Sequence, residues 1–165
     1  MHPRITITPE LFEKHRLFFE LHFGAFYLQH LRDVYRNFSG DILLAIVLGE
    51  IAHQNIAKIK SSGKYEREKV REIVNNPQSP LTSPCNAYSL ASSTGIPRET
   101  VRRKVAKLVK EGLITVNEKS EFFITEKVSC DELKKQTYEG AQNIVKAYDG
   151  MINYIEKTNK KHHMN

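Results

Sequence analysis

The chain has 165 residues, of which 40% are hydrophobic and 27% are charged, and its formal net charge is +6. This length suits one domain with an appended dimerisation element, and the composition is that of a globular rather than a disordered protein. Two cysteines without a Cys-x-x-Cys pair exclude a disulfide framework and a tetrahedral zinc site. The longest apolar run, residues 42–48, is far shorter than the ~20 residues of a membrane span, and no secretory signal is visible. We therefore expect a cytoplasmic protein without a membrane partner.

Residues 1–40 predict a short extended arm and a long helix that serve dimerisation. Residues 5–8 alternate as in a strand. Thr8-Pro9-Glu10 is typical of a helix start, with a hydroxyl cap and a proline in the first turn. The helix should reach about Asn37, with a break or bend near Gly24.

This first long helix carries two apolar stripes. One consists of Leu17, Leu21, Leu28, Leu31 and Tyr35, and the other of Phe12, Phe19, Phe23 and Phe26. The remaining polar face carries His15, His22, Gln29 and Arg36, which recur every seven residues. Because a helix that is apolar on two sides packs between two partners, we expect one partner to be another subunit.

The middle of the chain, residues 41–127, predicts one mainly helical domain. Asp41 should cap a helix over residues 42–60. An inserted segment, residues 61–84, should hold a short charged helix and a proline-rich loop. Two further helices are expected over residues 88–94 and 97–111, followed by two strand-like segments that form a hairpin over residues 113–125.

The order helix, turn, helix and hairpin is that of a winged helix-turn-helix. Ala91 is small enough to let the two helices touch, and Gly95 tolerates the left-handed turn conformation. Ile96 and Val101 should fill the space between the helices. An ordinary helical hairpin is the alternative interpretation, but the spacing, the basic second helix and the hairpin together favour the winged motif.

The second helix of this motif concentrates the positive charge of the chain. Its six basic residues are opposed only by Glu99, and they are Arg98, Arg102, Arg103, Lys104, Lys107 and Lys110. A solvated helix face would explain such charges singly. Their concentration in one short stretch indicates a polyanion-binding surface, because each cation near a phosphate releases counterions.

Residues 86–125 resemble the winged-helix domains of bacterial transcription regulators, including the GntR, MarR and catabolite-activator families. The stretch Arg98-Glu99-Thr100-Val101-Arg102-Arg103 is similar to the recognition helix of catabolite-activator-type regulators, which carry Arg-Glu-Thr-Val-x-Arg there. The resemblance implies that Arg98, Glu99 and Arg103 read bases, and arginine suits guanine while a carboxylate suits cytosine. The neighbouring polar residues that would contact phosphates are Thr100, Arg102, Lys104, Lys107 and Lys119.

The overall layout resembles MarR regulators, in which N- and C-terminal helices of both subunits form a dimerisation body around winged helices. Residues 128–165 predict the C-terminal dimerisation helix and a basic tail, opened by the capping box Ser129-Cys130-Asp131-Glu132. The helix should end near Lys157. Its heptad stripe consists of Tyr138, Ala141, Val145, Tyr148, Ile152 and Ile155. Docking of this stripe on the first helix of the same chain is the alternative to dimerisation.

The sequence contains no recognisable catalytic motif, metal site or cofactor motif, so we do not expect an enzyme. Eight aromatic residues before Gly40 leave open either an effector pocket between subunits or plain core packing. The leading hypothesis is a homodimeric, sequence-specific regulator that binds double-stranded DNA at an inverted-repeat operator. The second is a winged-helix module that contacts protein or RNA.

Overall fold

The structure is a computed structural model that describes residues 6–61 and 67–162, without the side chains of residue 67 and of residues 159–162. It is mainly helical, with one two-stranded antiparallel sheet, as the sequence predicts. The helices are α1 (Pro9–Lys14), α2 (Arg16–Asn37), α3 (Ile42–Asn55), α4 (Ala57–Ser61), α5 (Arg67–Asn75), α6 (Ala87–Thr94), α7 (Arg98–Lys110) and α8 (Asp131–His162). The strands are β1 (Ile114–Val116) and β2 (Phe122–Ile124), and a 3-10 turn covers Glu126–Ser129.

The chain divides into two compact units. The helical unit comprises the residues up to 36 and those from 134 onward, and the central unit comprises residues 37–133. Parts of three predicted segments lie outside the described residues: the start of the arm, the beginning of the charged helix in the insertion, and the basic side chains of the C-terminal tail.

The start of α3 is built as the sequence predicts. The Asp41 side chain accepts a hydrogen bond from the Leu44 amide at 3.0 Å, which satisfies one of the free donors at the helix start. Ser39 and Gly40 adopt positive φ angles of 50° and 84° immediately before it. A turn therefore separates α2 from α3, and in it the Asp41 amide donates to the Phe38 carbonyl at 2.9 Å.

The predicted single helix over residues 42–60 is wrong, because the chain breaks at Ile56 into α3 and the short α4. Asn55, the last residue of α3, is fully buried. Its carbonyl accepts a hydrogen bond from the Ser83 amide, which takes that carbonyl away from the helix. Its side chain donates to the carbonyls of Ser83 and Phe122 and accepts from the Ile124 amide at 2.9 Å. One buried amide thus joins α3, the loop before α6 and β2.

The turn between α6 and α7 has the expected chemistry. Asn86 caps α6 by accepting from the Tyr88 and Ser89 amides, so this helix begins at Ala87, one residue before the predicted start. Gly95 closes it with a φ of 71°, a left-handed conformation that favours glycine. Ile96 and Val101 are buried in the angle between the two helices, as predicted.

The hairpin packs on two helices of the central unit, on α3 through β2 and on α7 through β1. Strands β1 and β2 pair antiparallel with Ile114 opposite Ile124 and Val116 opposite Phe122. The Phe122 amide also donates to the Cys85 carbonyl at 2.7 Å, which extends the sheet by one bridge. A continuous buried core includes Leu44, Val47, Leu48, Ile51, Leu90, Val101, Val105, Leu108, Ile114, Phe122 and Ile124.

In the helical unit the predicted break near Gly24 is wrong, since α2 runs straight through that residue. The break lies at His15, which ends α1, while Thr8 caps the start of α1 as expected. His15 bonds through Nδ1 to the Tyr154 hydroxyl at 3.0 Å, and the two rings meet edge to face. The interruption therefore places the His15 ring against α8.

Helices α2 and α8 pack through aromatic rings and histidines. Phe18 stacks on Tyr154 with ring centroids 3.6 Å apart, and His22 Nε2 bonds to the Ala147 carbonyl at 2.8 Å. A Cβ atom on Gly150 would lie 2.6 Å from the His22 ring, so this close approach needs glycine. His15 and His22 were predicted on the polar face of the helix, and this is wrong because both make the contact with α8.

Helix α8 continues to His162, beyond the end predicted near residue 157. Among the described residues, no helix is both long enough and apolar enough to cross a membrane.

Candidate nucleic-acid interface

Helix α7 presents three different faces. Successive residues turn by ~100°, and the inner face buries Val101, Val105 and Leu108 in the central core. The face opposite this core carries Glu99, Arg103 and Lys110, all exposed. Two flanks remain between these faces, one toward the hairpin and one toward the start of α3.

The flank toward the hairpin forms one wall of a groove of about 620 Å³. Three cationic side chains line this groove, and they are Arg98 and Arg102 of α7 and Lys119 of the hairpin turn. The polar residues around them are Asn86, Tyr88 and Ser120. The apolar part is formed mainly by Val105, Val109, Val116 and Phe122. The groove therefore combines a positive rim with an apolar floor.

The three cationic side chains of the groove make few ion pairs within the described part of the chain. Within the described part of the chain, neither Arg98 nor Lys119 forms an ion pair, and Arg102 lies 4.0 Å from Glu99 with both side chains exposed. Such an exposed pair contributes little to stability. The three side chains are therefore available to an anion that enters the groove.

The first turn of α6 lies at the same groove through Asn86, Ala87 and Tyr88. A helix start carries free amides and a partial positive charge, which favours anions nearby. Asn86 occupies the Tyr88 and Ser89 amides as a cap. The helix start therefore adds to the positive field of the three cations rather than forming a site of its own.

Lys119 is held at the tip of the hairpin by its neighbours. The Asn117 side chain accepts from the amides of Lys119 and Glu121, each at 3.0 Å. Ser120 adopts a φ of 60°, which lets the chain reverse there. These contacts fix the backbone at Lys119 while its side chain extends along the groove.

The flank toward α3 is different, because its two lysines are already paired. Lys104 Nζ lies 2.7 Å from Asp41 Oδ1, and Lys107 Nζ lies 3.4 Å from Asp41 Oδ2. The Asp41 side chain is only 18% exposed, and that of Lys104 22%. Burial acts to raise the pKa of Asp41, but hydrogen bonds from Lys104, the Leu44 amide and Lys107 outweigh it and hold the pKa below its ordinary value of 3.8.

The structure distributes the predicted base-reading residues over two faces of α7. Arg98 lines the groove, whereas Glu99 and Arg103 lie on the outward face, where Arg103 Nη2 donates to Thr100 Oγ1 at 3.4 Å. Among the predicted phosphate contacts, Arg102 and Lys119 share the groove. Lys104 and Lys107 lie on the other flank with Asp41.

Sequence reasoning missed three participants in this surface. Asn86, Tyr88 and Ser120 line the groove, although none carries a charge that would single it out. The partner of Lys104 and Lys107 was also missed. Asp41 was identified only as a helix cap, and only the folded chain brings it against α7.

The predicted dimerisation stripe of α8 is divided by the structure. Tyr138, Ala141, Val145 and Tyr148 are exposed, whereas Ile155 is buried within the helical unit. Tyr148 also borders an apolar cavity of about 340 Å³ between α2 and α8, together with His22, Phe23, Phe26 and Met151. The last residue of the stripe therefore packs inside the chain, while its first four residues face outward.

The described ranges 6–61 and 67–162 offer few groups for metal binding or nucleophilic chemistry. No group of three or more potential metal-ligating His, Cys, Asp or Glu side chains occurs there. Cys85 is a free thiol, and its burial raises the pKa to about 12, which leaves it protonated and unreactive.

Comparison of the chain with protein-family models, with curated proteins and with solved structures finds no match.

Proposed function

We propose that this protein is a cytoplasmic, homodimeric transcription regulator that binds a specific double-stranded DNA site through a winged helix-turn-helix formed by α6, α7 and the hairpin. The observation that carries the proposal is the convergence of Arg98, Arg102 and Lys119 on one groove beside the start of α6. Cations from a helix and a hairpin turn can hold the same DNA strand at two points. This arrangement suits a backbone of closely spaced phosphates better than a single small anion.

Within this proposal the faces of α7 have separate tasks. Glu99 and Arg103 face outward and would contact base edges in the major groove, arginine to guanine and carboxylate to cytosine. Arg98 and Arg102 would hold the sugar-phosphate backbone together with Lys119, while Val109 and Val116 contact sugar carbons. We thus assign Arg98 to the backbone, in contrast to the role that the sequence resemblance implies.

The homodimer is supported by the apolar surface of the helical unit. Leu17, Leu21, Leu28, Tyr138 and Val145 are each more than half exposed. Full burial of one such side chain contributes ~1.5–3 kcal/mol, and two copies would bury about ten. Because each side chain is only half to two-thirds exposed, the remaining gain is about 9–18 kcal/mol. This is comparable to the roughly 4–15 kcal/mol that association costs, so a contact of this size can support self-association. A two-fold dimer would present two α7 helices to an inverted repeat.

A winged-helix module that contacts protein or RNA is the second candidate. The observation in its favour is the exposed apolar surface beside the cations, where Tyr88 is 71% exposed, Val109 42% and Val116 43%. A protein partner would use these three side chains as its main contact. An RNA partner would stack bases on Tyr88.

Selection of bound duplexes from a random DNA pool tests the proposal directly. We expect an inverted-repeat consensus, and binding to it should weaken steeply with salt. If each subunit neutralises about four phosphates, the log–log slope is about −7. A selected pool without a consensus, together with a slope shallower than about −2, would contradict DNA as the partner.

A matched pair of variants ties this binding to the groove. Combined Arg102→Ala and Lys119→Ala substitutions should reduce affinity at least tenfold and make the salt slope less negative by about two units per subunit. The control is Lys146→Ala on α8, an exposed lysine of the helical unit, which should leave the affinity unchanged. A Tyr88→Ala variant that keeps Arg102 and Lys119 distinguishes the second candidate. It would abolish the contact with a protein or RNA partner, because that contact depends on Tyr88.

A further inference from the structure

The face of α2 that points away from α8 carries a regular heptad stripe. Its positions are Leu17, Leu21, Gly24, Leu28, Leu31 and Tyr35, which are separated by steps of four and three residues. At ~100° per residue, all six lie within an arc of about 80°, and Phe18 and His22 lie about 100° and 140° around the helix from its centre. We name these six positions the leucine stripe.

Four of the six positions of the leucine stripe are open to solvent in the single chain, and Gly24 and Leu31 are partly buried. Leu17 is 68% exposed, Leu21 66%, Leu28 53% and Tyr35 56%. A Cβ atom on Gly24 would meet nothing within 4 Å, so no other part of the chain requires this glycine. An exposed surface of this length with a/d spacing is typical of a helix–helix seam whose partner is missing.

We propose that the leucine stripe is the seam of the homodimer and that it pairs with the same stripe of a second copy in antiparallel orientation. In this register Leu17 lies opposite Tyr35 of the second copy, Leu21 opposite Leu31, and Gly24 opposite Leu28. Each a position then meets a d position, as antiparallel helix pairs require, and a two-fold rotation maps the arrangement onto itself. The inference deepens the homodimer of the proposed function and rests on it.

The glycine decides the orientation of the two helices. A parallel pair in register would place Gly24 against Gly24 and leave one layer of the seam without a side chain. The antiparallel register places each glycine against a leucine, so that every layer contains at least one large apolar group. A layer without side chains would be a void in the seam, and voids in apolar interfaces are unfavourable.

The charges beside the stripe agree with this register. The flanking positions of an antiparallel pair bring Glu20 opposite Val34 and Arg32 opposite Phe18, so no like charges face each other across the seam. Glu20 is also paired with Arg16 of its own helix at 3.7 Å. The second copy therefore meets an apolar surface without an electrostatic penalty.

Disulfide trapping in the full-length protein tests the register. Two differently tagged chains, Leu17→Cys and Tyr35→Cys, are co-expressed with the partly exposed thiol removed by Cys130→Ser, while the buried Cys85 is kept. Oxidation should link the two chains into a mixed dimer. Leu17→Cys alone should not cross-link, because the two Leu17 positions lie 18 residues apart along the seam, about 27 Å, and a disulfide needs Cα atoms within ~7 Å.

The matched control mixes Leu17→Cys with Leu28→Cys, which lies on the stripe but about 10.5 Å out of register. This pair should stay unlinked. Cross-linking of Leu17→Cys with itself would overturn the antiparallel orientation. A stable dimer in which no α2 cysteine cross-links would overturn the leucine stripe as the seam, while a wild-type monomer at high micromolar concentration would overturn the homodimer itself.

A second measurement avoids disulfides. Leu21→Glu should raise the dimer dissociation constant at least tenfold with unchanged helix content, because its side chain is solvent-exposed in the single chain. Gln29→Lys introduces a charge on the same helix away from the stripe and should leave dissociation unchanged. Equal effects of both substitutions, or no effect of Leu21→Glu, would contradict the proposal.

Discussion

The two units of this chain bury their apolar residues to different extents. The central unit closes its core by itself, with residues from α3, α6, α7 and both strands fully buried. In the described part of the helical unit, only Phe19 and Ile155 count as buried hydrophobic residues, while leucines and tyrosines of α2 and α8 stay exposed. The comparison teaches that the central unit buries an apolar core of its own, whereas the helical unit leaves much of its apolar surface exposed and available for association.

The same division separates the two activities of the proposed function. The groove proposed to bind DNA lies wholly in the central unit, and the leucine stripe lies wholly in the helical unit. Substitutions in the groove should therefore leave self-association intact. Substitutions in the leucine stripe should lower the affinity for an inverted repeat only through loss of the dimer.

The largest effect is expected from the core of the central unit. Leu108→Ala removes a fully buried side chain and should lower the free energy of unfolding by about 2–5 kcal/mol. Leu21→Ala, the matched change on the exposed stripe, should cost less than about 0.5 kcal/mol in a monomeric background. Denaturant unfolding of both variants checks this, and equal losses would break the comparison between the units.

A second effect concerns base discrimination by α7. Arg103→Ala should remove about 1–3 kcal/mol of preference at one base pair of each half-site, because Arg103 faces outward. Arg98→Ala should weaken binding to all duplexes about equally, since Arg98 lines the groove. The measurement is binding to the selected site, its single-base variants and a scrambled duplex, with the dimer state followed in parallel. If Arg98→Ala changed the preference at one base pair and Arg103→Ala weakened all duplexes equally, Arg98 and not Arg103 would read bases.

A smaller effect is expected from Asp41, which holds Lys104 and Lys107 away from other anions. Asp41→Asn keeps a good helix cap but removes the charge that pairs with both lysines. Non-specific DNA affinity should rise a few-fold, and the salt slope should become steeper by one to two units per subunit. Asp149→Asn on α8 is the control with the same charge change. Unchanged affinity in Asp41→Asn would show that the two lysines do not approach DNA.

The smallest effect is the pH dependence of this contact. Because folding lowers the pKa of Asp41 below 3.8, the ion pairs stabilise the fold fully above about pH 4, and this contribution is lost as pH falls through the lower folded pKa. Wild type and Asp41→Asn should therefore differ in stability at neutral pH and converge in strong acid. A difference that persists below pH 2 would assign it to the cap rather than to the charge.

Local signals made much of the fold predictable. The caps at Thr8 and Asp41 and the turn at Gly95 depend on neighbours within four residues, and the structure has all three. The break after Asn55 depends on hydrogen-bond partners at Ser83, Phe122 and Ile124. These partners are distant in the sequence, so no local pattern indicates them.

The candidate site was predictable in charge but not in geometry. Six basic residues marked α7, yet their division between the groove and Asp41 depends on where α3 and the hairpin pack. The positions of His15 and His22 were not predictable for a related reason. Polar residues at heptad spacing resemble a solvated face, but His15 and His22 find hydrogen-bond partners on α8.

The buried Asn55 amide has a consequence for the motions of the hairpin. The Ile124 amide donates to a side chain that is itself closed off from solvent, so its hydrogen should exchange only when the whole central unit opens. The amides of Lys119 and Glu121 also donate to a side chain, that of Asn117, but this turn is open to solvent, so they should exchange by local opening and well before the Ile124 amide. The base of the hairpin would then open only together with the core beneath it, whereas the tip could open by itself.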